Sequence, residues 1–554
     1  MSSHYTHKIE EPTAATKARV KNEVPDSADV AIVGAGLGGL MTGARLARKG
    51  HKVAIFDSHY VAGGCATMFA RHTRDGVYRF DIGLHYVGDC GPGGTMRRLM
   101  EDVGIDIHWI EMDRDGFDVA VLPGLRFPIP ADRELYRDRL KESFPKEVKG
   151  IDRYVRLLEE VDHVGRWMED QKDKRGRPNL LSMGWTIAAH GRLLARYKSA
   201  TIAEVLDDCT QDPMLRAVIL TQTGDYGVAP SRASALLHCG LANHYFRGAW
   251  YPRGGGQILA DRLCDVIEAN GGSIHLRRPV DRILVEDGRA VGVRVAPRRQ
   301  DTKEIRSKIV VSNADLLHTI NDLLPQEAVP AKLKARVPEF EMGGAIFITC
   351  LGIDTKAGNL ASYGMGARNE WCFDSTDIEG LYADIGAGRI DPRCAYITSA
   401  TLKDPTTSGH APDGVETVEV MTLVPHKPEH WGVTAEQIKD GTYRKQPAYL
   451  ANKKHVEEGC IAWLDKQYPG IAQHVVFKES ATPMTQTRYT QASGGTGYGL
   501  AATPEQFMEG RPGHRGPIDG MYLAGANTRS GHGVVGALMS GKATARKVAR
   551  ELDS

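Results

Sequence analysis

Gly34, Gly36, Gly38 and Gly39 stand between a β-branched run, Val30 to Val33, and a helical pattern of Leu, Met and Ala. Glycines at this spacing hold the pyrophosphate of an adenine dinucleotide. Gly34 permits a tight turn, Gly36 lets the backbone approach the phosphates, and Gly39 lets the helix pack closely on the strand. Leu37 and Gly38 open that helix, whose free N–H groups and dipole favour an anion. A second apolar run, Val53 to Phe56, ends at Asp57 and Ser58. Asp57 lies 23 positions after Gly34, placed to accept from ribose hydroxyls.

Two further glycine clusters narrow the dinucleotide to FAD. Gly63 and Gly64 follow Asp57 by six and seven positions, an extended fingerprint that NAD-binding units usually lack. Cys65, beside the pair, reads as a small packed residue at the cofactor rather than a redox centre. At the other end of the chain, Met521 to Ala524 leads through Gly525, Ala526 and Asn527 to Gly533-Val534-Val535-Gly536-Ala537. This is the pattern of a short strand, a glycine turn and a final helix that closes a flavin site. His532 would line the same turn.

A flavin exchanges hydride, so the protein must orient the substrate and manage protons. Residue types able to protonate a carbon or steady a developing cation are His85 and Tyr86, in Phe80 to Gly88, and His244 and Tyr245, in Asn243 to Gly248. The competing reading of each histidine is a hydrogen-bonded residue that shapes its loop.

The elements that must carry these groups follow from periodicity. Gln257 to Asn270 reads as a helix capped by Gly271 and Gly272, and Asp287-Gly288 reads as a hairpin turn between two Val- and Ile-rich strands. Ile309 to Asp315 is a buried strand running into a turn. Strand-like alternation recurs between 340 and 425, and 446–468 is helix-like. The expected fold is α/β: a Rossmann-like FAD domain of the two-dinucleotide-binding type, with an interleaved α+β substrate domain. After a polar tail, 1–25, the FAD domain takes 26–120, 248–330 and 480–554. The substrate domain takes 121–247 and 331–479.

Composition bounds the rest. The chain has 554 residues and a net charge of +1, from 70 basic and 69 acidic side chains, so no global field for nucleic acid exists. Nine cysteines, an odd number without a CxxC pair, imply neither a disulfide framework nor a metal site. Reduced thiols and a cytoplasmic setting are expected, and residues 1–25 lack the apolar core of a signal peptide. No run of 18 apolar residues predicts a membrane-spanning helix. Between Lys174 and Ala203 there is no acidic residue, while Lys174, Arg175, Arg177, Arg192, Arg196 and Lys198 accompany Trp185 and apolar residues at helical spacing. A basic helix over about 179–198 would suit a peripheral membrane contact; the alternative is an ordinary helix with a solvated basic face.

With these blocks in place, the chain resembles the phytoene desaturase, carotenoid isomerase and retinol saturase family over nearly everything after residue 26. The carriers are the glycine turn with Gly63-Gly64, the Phe80 to Gly88 segment, Tyr251-Pro252-Arg253-Gly254-Gly255, Ser312-Asn313-Ala314-Asp315, and the glycine-rich C-terminus. Gly63 to Phe69 leading to His85-Tyr86-Val87-Gly88, and Asn243 to Gly248, look most like the isomerase and saturase branch. The resemblance implies that the His85–Tyr86 segment approaches the isoalloxazine and that the backbone of Val280 meets the adenine. It also implies a long apolar pocket for a lipophilic alkene.

Two departures stand out. Animal retinol saturases carry an N-terminal targeting segment that is not matched here, so an endoplasmic reticulum location does not transfer. Many related flavoproteins have an acidic residue where this chain has Ala526, so ribityl contacts fall to backbone groups or Asn527. Three function classes stay open: an oxidoreductase that saturates or desaturates carbon–carbon double bonds of an isoprenoid, carotenoid- or retinoid-like substrate; a redox-neutral double-bond isomerase using reduced FAD; and a flavin amine oxidase or a lipid-binding flavoprotein without turnover. No second strand–glycine–helix unit for NAD(P)H is found. The expected electron partner is therefore a quinone, oxygen or a separate reductase.

Overall fold

The computed structural model describes residues 7–9, 13–175, 180–296, 301–531 and 533–554. His532 and Arg177 lie outside the described residues. Two seven-stranded sheets organise the chain.

The first sheet is parallel at its centre. Ser27–Val33 pairs with Val53–Phe56 on one side and Lys303–Ser312 on the other, and Ser273–His275 extends it beyond Val53–Phe56. Lys303–Ser312 is shared along its length. Its first half pairs antiparallel with Arg289–Val295, and its last residues pair parallel with Met521–Leu523. Val30, Ile32, Ile55, Ile309 and Val311 are fully enclosed, as expected of parallel strands covered on both faces. Burying each such side chain stabilises the sheet by roughly 1.5–3 kcal/mol. The hairpin at Asp287-Gly288 has φ of 47° and 75°, the left-handed pair that its two-residue turn requires.

Helices Leu37–Ala47, Gln257–Ala269 and Gly533–Leu552 cover this sheet. Small residues set their spacing. A Cβ on Gly541 would lie 2.5 Å from the Gly38 carbonyl, so the final helix can touch the first only through glycine.

The second sheet is mostly antiparallel, in the order Val475–Ala481, Ala345–Asp354, Val415–Val424, Cys394–Thr398, Asn369–Phe373, Asp118–Leu122, Leu125–Ile129. Its face packs against the helical segment that includes Val148–Arg175 and Ala235–Phe246. Two boundaries drawn from sequence fall inside its strands: residue 120 within Asp118–Leu122 and residue 480 within Val475–Ala481. Strand partners are far apart in sequence, so alternation alone does not mark where one sheet yields to the other.

The basic stretch also differs from its expected form. It makes two helices, Leu180–His190 and Arg192–Tyr197, separated at Gly191. The second starts against the long helix, where buried Glu160 accepts from the Leu193 and Leu194 N–H groups at 2.6 and 3.1 Å. A side chain from a neighbouring helix thus supplies the cap that no local residue provides.

Candidate active site

The parallel strands Ser27–Val33, Lys303–Ser312 and Met521–Leu523 all end at one edge, where ligands bind in open α/β sheets. There Gly34 takes φ of 97°, and Gly36 precedes Leu37–Ala47 without any side-chain cap. The first N–H groups of that helix stay available to an anion. Asn313 braces the turn: its Nδ2 donates to the Gly34 carbonyl at 3.4 Å, and added Cβ atoms on Gly36 and Gly38 would lie 2.8 and 2.6 Å from its amide. Gly38 also abuts Gly525, whose N–H donates to Ser540 Oγ at 2.9 Å. Gly63 donates to the Ala35 carbonyl at 2.8 Å, and a Cβ on Gly64 would stand 3.2 Å from the Gly36 Cα. Glycines from three separate segments therefore meet at one place, with a surface stripped of side chains.

Asp57 holds this turn together. Its carboxylate accepts from the Ala35 N–H at 2.6 Å and the His59 N–H at 2.7 Å. Ser58 follows it, and the Asp57 carbonyl accepts from Arg278 N–H at 2.8 Å, which brings Val280 alongside. Ala526 and Asn527 lie in the C-terminal turn, but the Asn527 amide oxygen is engaged by the Leu500 N–H at 2.8 Å. Gly533, Val534, Val535 and Ala537 open the final helix, which has no acidic residue in its first turn. These residues fit FAD: side-chain-free backbone and two helix starts without an acidic residue in the first turn.

A cavity of about 860 Å³ runs from Gly64, Cys65 and Gly533–Gly536 to the second sheet. Leu236, Leu237, Leu241, Ile346, Ile348, Phe373, Met421 and Leu423 line it. The Cys65 thiol accepts from Gln486 Nε2 at 3.1 Å, and burial raises its pKa.

Into this apolar space project Tyr86 and Tyr245. Strand Val87–Gly88 pairs with Ala249–Pro252, so the residue before the first strand lies beside the helix that ends at Phe246. Gly88 is needed there, because a Cβ would fall 2.3 Å from the His244 carbonyl. His244 Nε2 accepts from the Gly88 N–H at 2.8 Å, and burial drives its pKa down to about 4. A neutral ring whose acceptor nitrogen is occupied positions the loop and does not deliver protons.

Two carboxyl groups, which the sequence reading missed, complete the cluster. Tyr86 Oη lies 2.9 Å from Asp225 Oδ2 and 3.0 Å from Asp118 Oδ2, and Tyr245 Oη lies 3.1 Å from Asp225 Oδ2. Asp118 also accepts from Gln222, Asn369 and Trp371 at 2.8, 2.8 and 3.0 Å. A phenol has one proton, so both short contacts of Tyr86 are fully satisfied when one carboxyl is protonated and donates to it. Burial pushes Asp118 up to about 6. Asp225 rises further, to about 7, through burial and then the Asp118 charge, and its side-chain partners are two phenols. Three N–H donors favour the charge on Asp118, and Asp225 has none among the described residues, so the hydrogen bonding favours the proton on Asp225. The signal was faint: Asp118 opens an apolar strand, and Asp225 sits in Thr223-Gly224-Asp225-Tyr226-Gly227.

His85 lines the same cavity but has different partners. Its Nδ1 lies 3.0 Å from buried Glu419, while Nε2 has no hydrogen-bond partner among the described residues. Lys403 Nζ, pulled by burial to about 8, donates to the His85 carbonyl at 2.5 Å and to Thr398 Oγ1 at 2.7 Å. His85 and Tyr86 are thus placed by independent polar groups on either side of one chain segment.

All-trans-retinol 13,14-reductase of Danio rerio is 29% identical over 91% of this chain and 83% of its own length. The same-named protein of Rattus norvegicus is 29% identical over 93% and 85%. Prolycopene isomerase 1 of an Oncidium hybrid cultivar is 25% identical over 96% and 85%. Among solved structures, a putrescine oxidase variant superposes with a TM-score of 0.60 at 15% identity, covering 95% of this chain and 99% of that one. Cyclohexylamine oxidase of Brevibacterium oxydans gives 0.59 at 18% identity, covering 96% and 100%. These two likenesses speak for the fold alone. Residues 37–549 match the family described as flavin containing amine oxidoreductase. The chain is an FAD-dependent oxidoreductase belonging to that family.

Proposed function

We propose that this enzyme reduces a carbon–carbon double bond of a lipophilic isoprenoid of the carotenoid or retinoid kind. The observation that carries the reading is the Tyr86–Asp225–Tyr245 cluster, a protonated acid with two phenols opening onto an apolar cavity that reaches the cofactor glycines. The names of the relatives, retinol 13,14-reductase above all, point to the same chemistry.

Saturating one double bond requires a hydride and a proton. FAD, held by Gly34, Gly36, Leu37, Gly38, Gly39, Asp57, Ser58, Gly63, Gly64, Cys65, Val280, Gly525, Ala526, Asn527, Gly533, Val534, Val535 and Ala537, supplies the hydride chemistry when bound. The chain supplies the rest. Leu237, Leu241, Ile346 and Met421 align the alkene and exclude water. Tyr86 gives its proton to carbon and recovers one from Asp225, while Tyr245 holds the acid in line. Asp118, with its three N–H donors, fixes the Tyr86 oxygen in place.

A redox-neutral isomerase is the second reading, because the same acid could protonate a polyene reversibly and prolycopene isomerases are among the relatives. Anaerobic incubation of the reduced enzyme with all-trans-retinol separates the two. A product heavier by two hydrogens supports reduction; unchanged mass supports isomerisation.

The division into 26–120, 248–330 and 480–554 for the cofactor, and 121–247 and 331–479 for the substrate, belongs to this proposal. So does a separate electron partner: a quinone, oxygen or a reductase. Rapid bleaching of the flavin by NADPH alone would remove the need for one. No described helix is long and apolar enough to cross a membrane. A peripheral contact through Leu180–His190 is favoured by Trp185, which is 71% exposed beside a basic segment.

A further inference from the structure

Arg511 is fully enclosed, at 1% exposure, yet has no carboxylate partner among the described residues. Its three donor nitrogens all end on backbone carbonyls: Nε on Gln506 at 2.8 Å, Nη1 on Ala526 at 2.5 Å and Nη2 on Leu500 at 2.6 Å. Its nearest acidic neighbours in sequence, Glu505 and Glu509, are exposed. Between Arg511 and Gly541 the sequence holds one acid, Asp519, on a loop whose backbone pairs with Ala290. Burial is the one cause that shifts the guanidinium, which falls to about 10.

A buried ion without a counter-ion carries a heavy desolvation penalty. Such a group persists where something negative meets it. Arg511 is bonded to Ala526, inside the turn between Leu523 and Gly533 that the cofactor segments share. The start of Gly533–Leu552 adds the partial positive charge of a helix N-terminus to the same turn. FAD brings two phosphate charges, and its reduced form is more negative than its oxidised form.

We propose that Arg511 is the protein's counter-charge for FAD: it tightens cofactor binding and favours the reduced state. The assignment rests on FAD binding and is independent of which double-bond chemistry the enzyme performs. Substituting Met for this side chain removes the charge while keeping much of its volume.

The test compares the FAD dissociation constant and the flavin midpoint potential in wild type, Arg511→Met and Arg511→Lys. Arg511→Met should bind FAD at least tenfold more weakly. It should also shift the reduced-to-oxidised ratio about tenfold toward oxidised, which is about 30 mV for a two-electron couple. Arg511→Lys keeps the charge and should hold the wild-type potential, even where loss of the fork loosens the turn. An unchanged potential in Arg511→Met, or equal shifts in both variants, would reduce Arg511 to a clamp on three carbonyls and overturn the proposal. Should Arg511→Met fail to fold, Arg511→Gln removes the charge while keeping an N–H donor for the carbonyls. A lowered potential there supports the assignment, and an unchanged one refutes it.

Discussion

Tyr86 and Tyr245 lie face to face, with ring centroids 4.5 Å apart and planes 6° from parallel, and both hydroxyls reach the same oxygen of Asp225. Stacking at this distance is worth about 0.5–1.5 kcal/mol beyond area burial. Its larger consequence is positional. Neither ring can swing away without losing the other, so two phenols and one carboxyl stay in register at the cavity wall. Residues 86, 225 and 245 come from three separate segments, and the pairing of Val87–Gly88 with Ala249–Pro252 brings two of them together.

The first prediction concerns pH. Asp225 is protonated below about 7 and returns a proton to Tyr86. The rate of substrate reduction should fall as pH rises through that value. Asp225→Asn removes the titrating group, so its profile should be flat near neutrality and its rate low throughout. Rates of stopped-flow turnover between pH 5.5 and 8.5 check this. A wild-type limb that persists in Asp225→Asn would assign the titration elsewhere.

Stability should follow the same group with a defined sign. Asp225 has a folded-state pKa raised from 3.8 to about 7, so the folded state favours the protonated form. Its contribution is complete below the unfolded value and is lost as pH rises through about 7. Asp225→Asn should therefore gain stability relative to wild type at pH 8 compared with pH 5, by on the order of a few kcal/mol. Denaturant melts at the two pH values measure the difference. An equal offset at both would show that Asp225 is not protonated in the fold.

Cofactor retention gives a third prediction. A Cβ at Gly38 would lie 2.7 Å from the Gly525 N atom and 2.6 Å from the Asn313 amide. Gly38→Ala must push the C-terminal turn away from the first helix. The purified variant should fold with near-normal secondary structure but carry less than a tenth of the wild-type FAD, read as flavin absorbance per chain. Full FAD occupancy would mean that the two glycine segments need not touch.

Membrane attachment is the fourth. Trp185 is exposed on Leu180–His190, followed by Arg192, Arg196 and Lys198. The protein should float with vesicles containing anionic lipid at low salt and be released by high salt or by Trp185→Ser. Protein that stays in the soluble fraction at low salt would leave this helix an ordinary covering element.

What the sequence disclosed was local. Val53–Phe56, Gln257–Ala269, Pro447–Gln467 and the turn at Asp287-Gly288 are each encoded within a few residues by apolar runs, helical spacing or left-handed turn residues. Glycine spacing likewise exposed the cofactor segments, because a backbone that must approach phosphate tolerates few other residues. The acid cluster was hidden for the opposite reason. Asp118 and Asp225 are 107 positions apart, and an isolated aspartate looks the same whether solvated or enclosed. The break at Gly191 was equally invisible, since the cap that starts the following helix is Glu160, donated by a different helix. For both His85 and His244 the sequence favoured a loop-shaping role, more strongly for His244. The partner atoms distinguish them: a Gly88 N–H occupies His244, while His85 Nε2 has no partner among the described residues.

The most direct test of the central claim is anaerobic reoxidation of the reduced enzyme by all-trans-retinol, followed by flavin absorbance in wild type and Tyr86→Phe at pH 6.5. The account predicts one flavin oxidised per double bond reduced. It also predicts that Tyr86→Phe, with substrate binding and flavin content intact, is slower by roughly 10²–10⁴-fold, the usual contribution of a positioned acid. Reoxidation of Tyr86→Phe at the wild-type rate would contradict it.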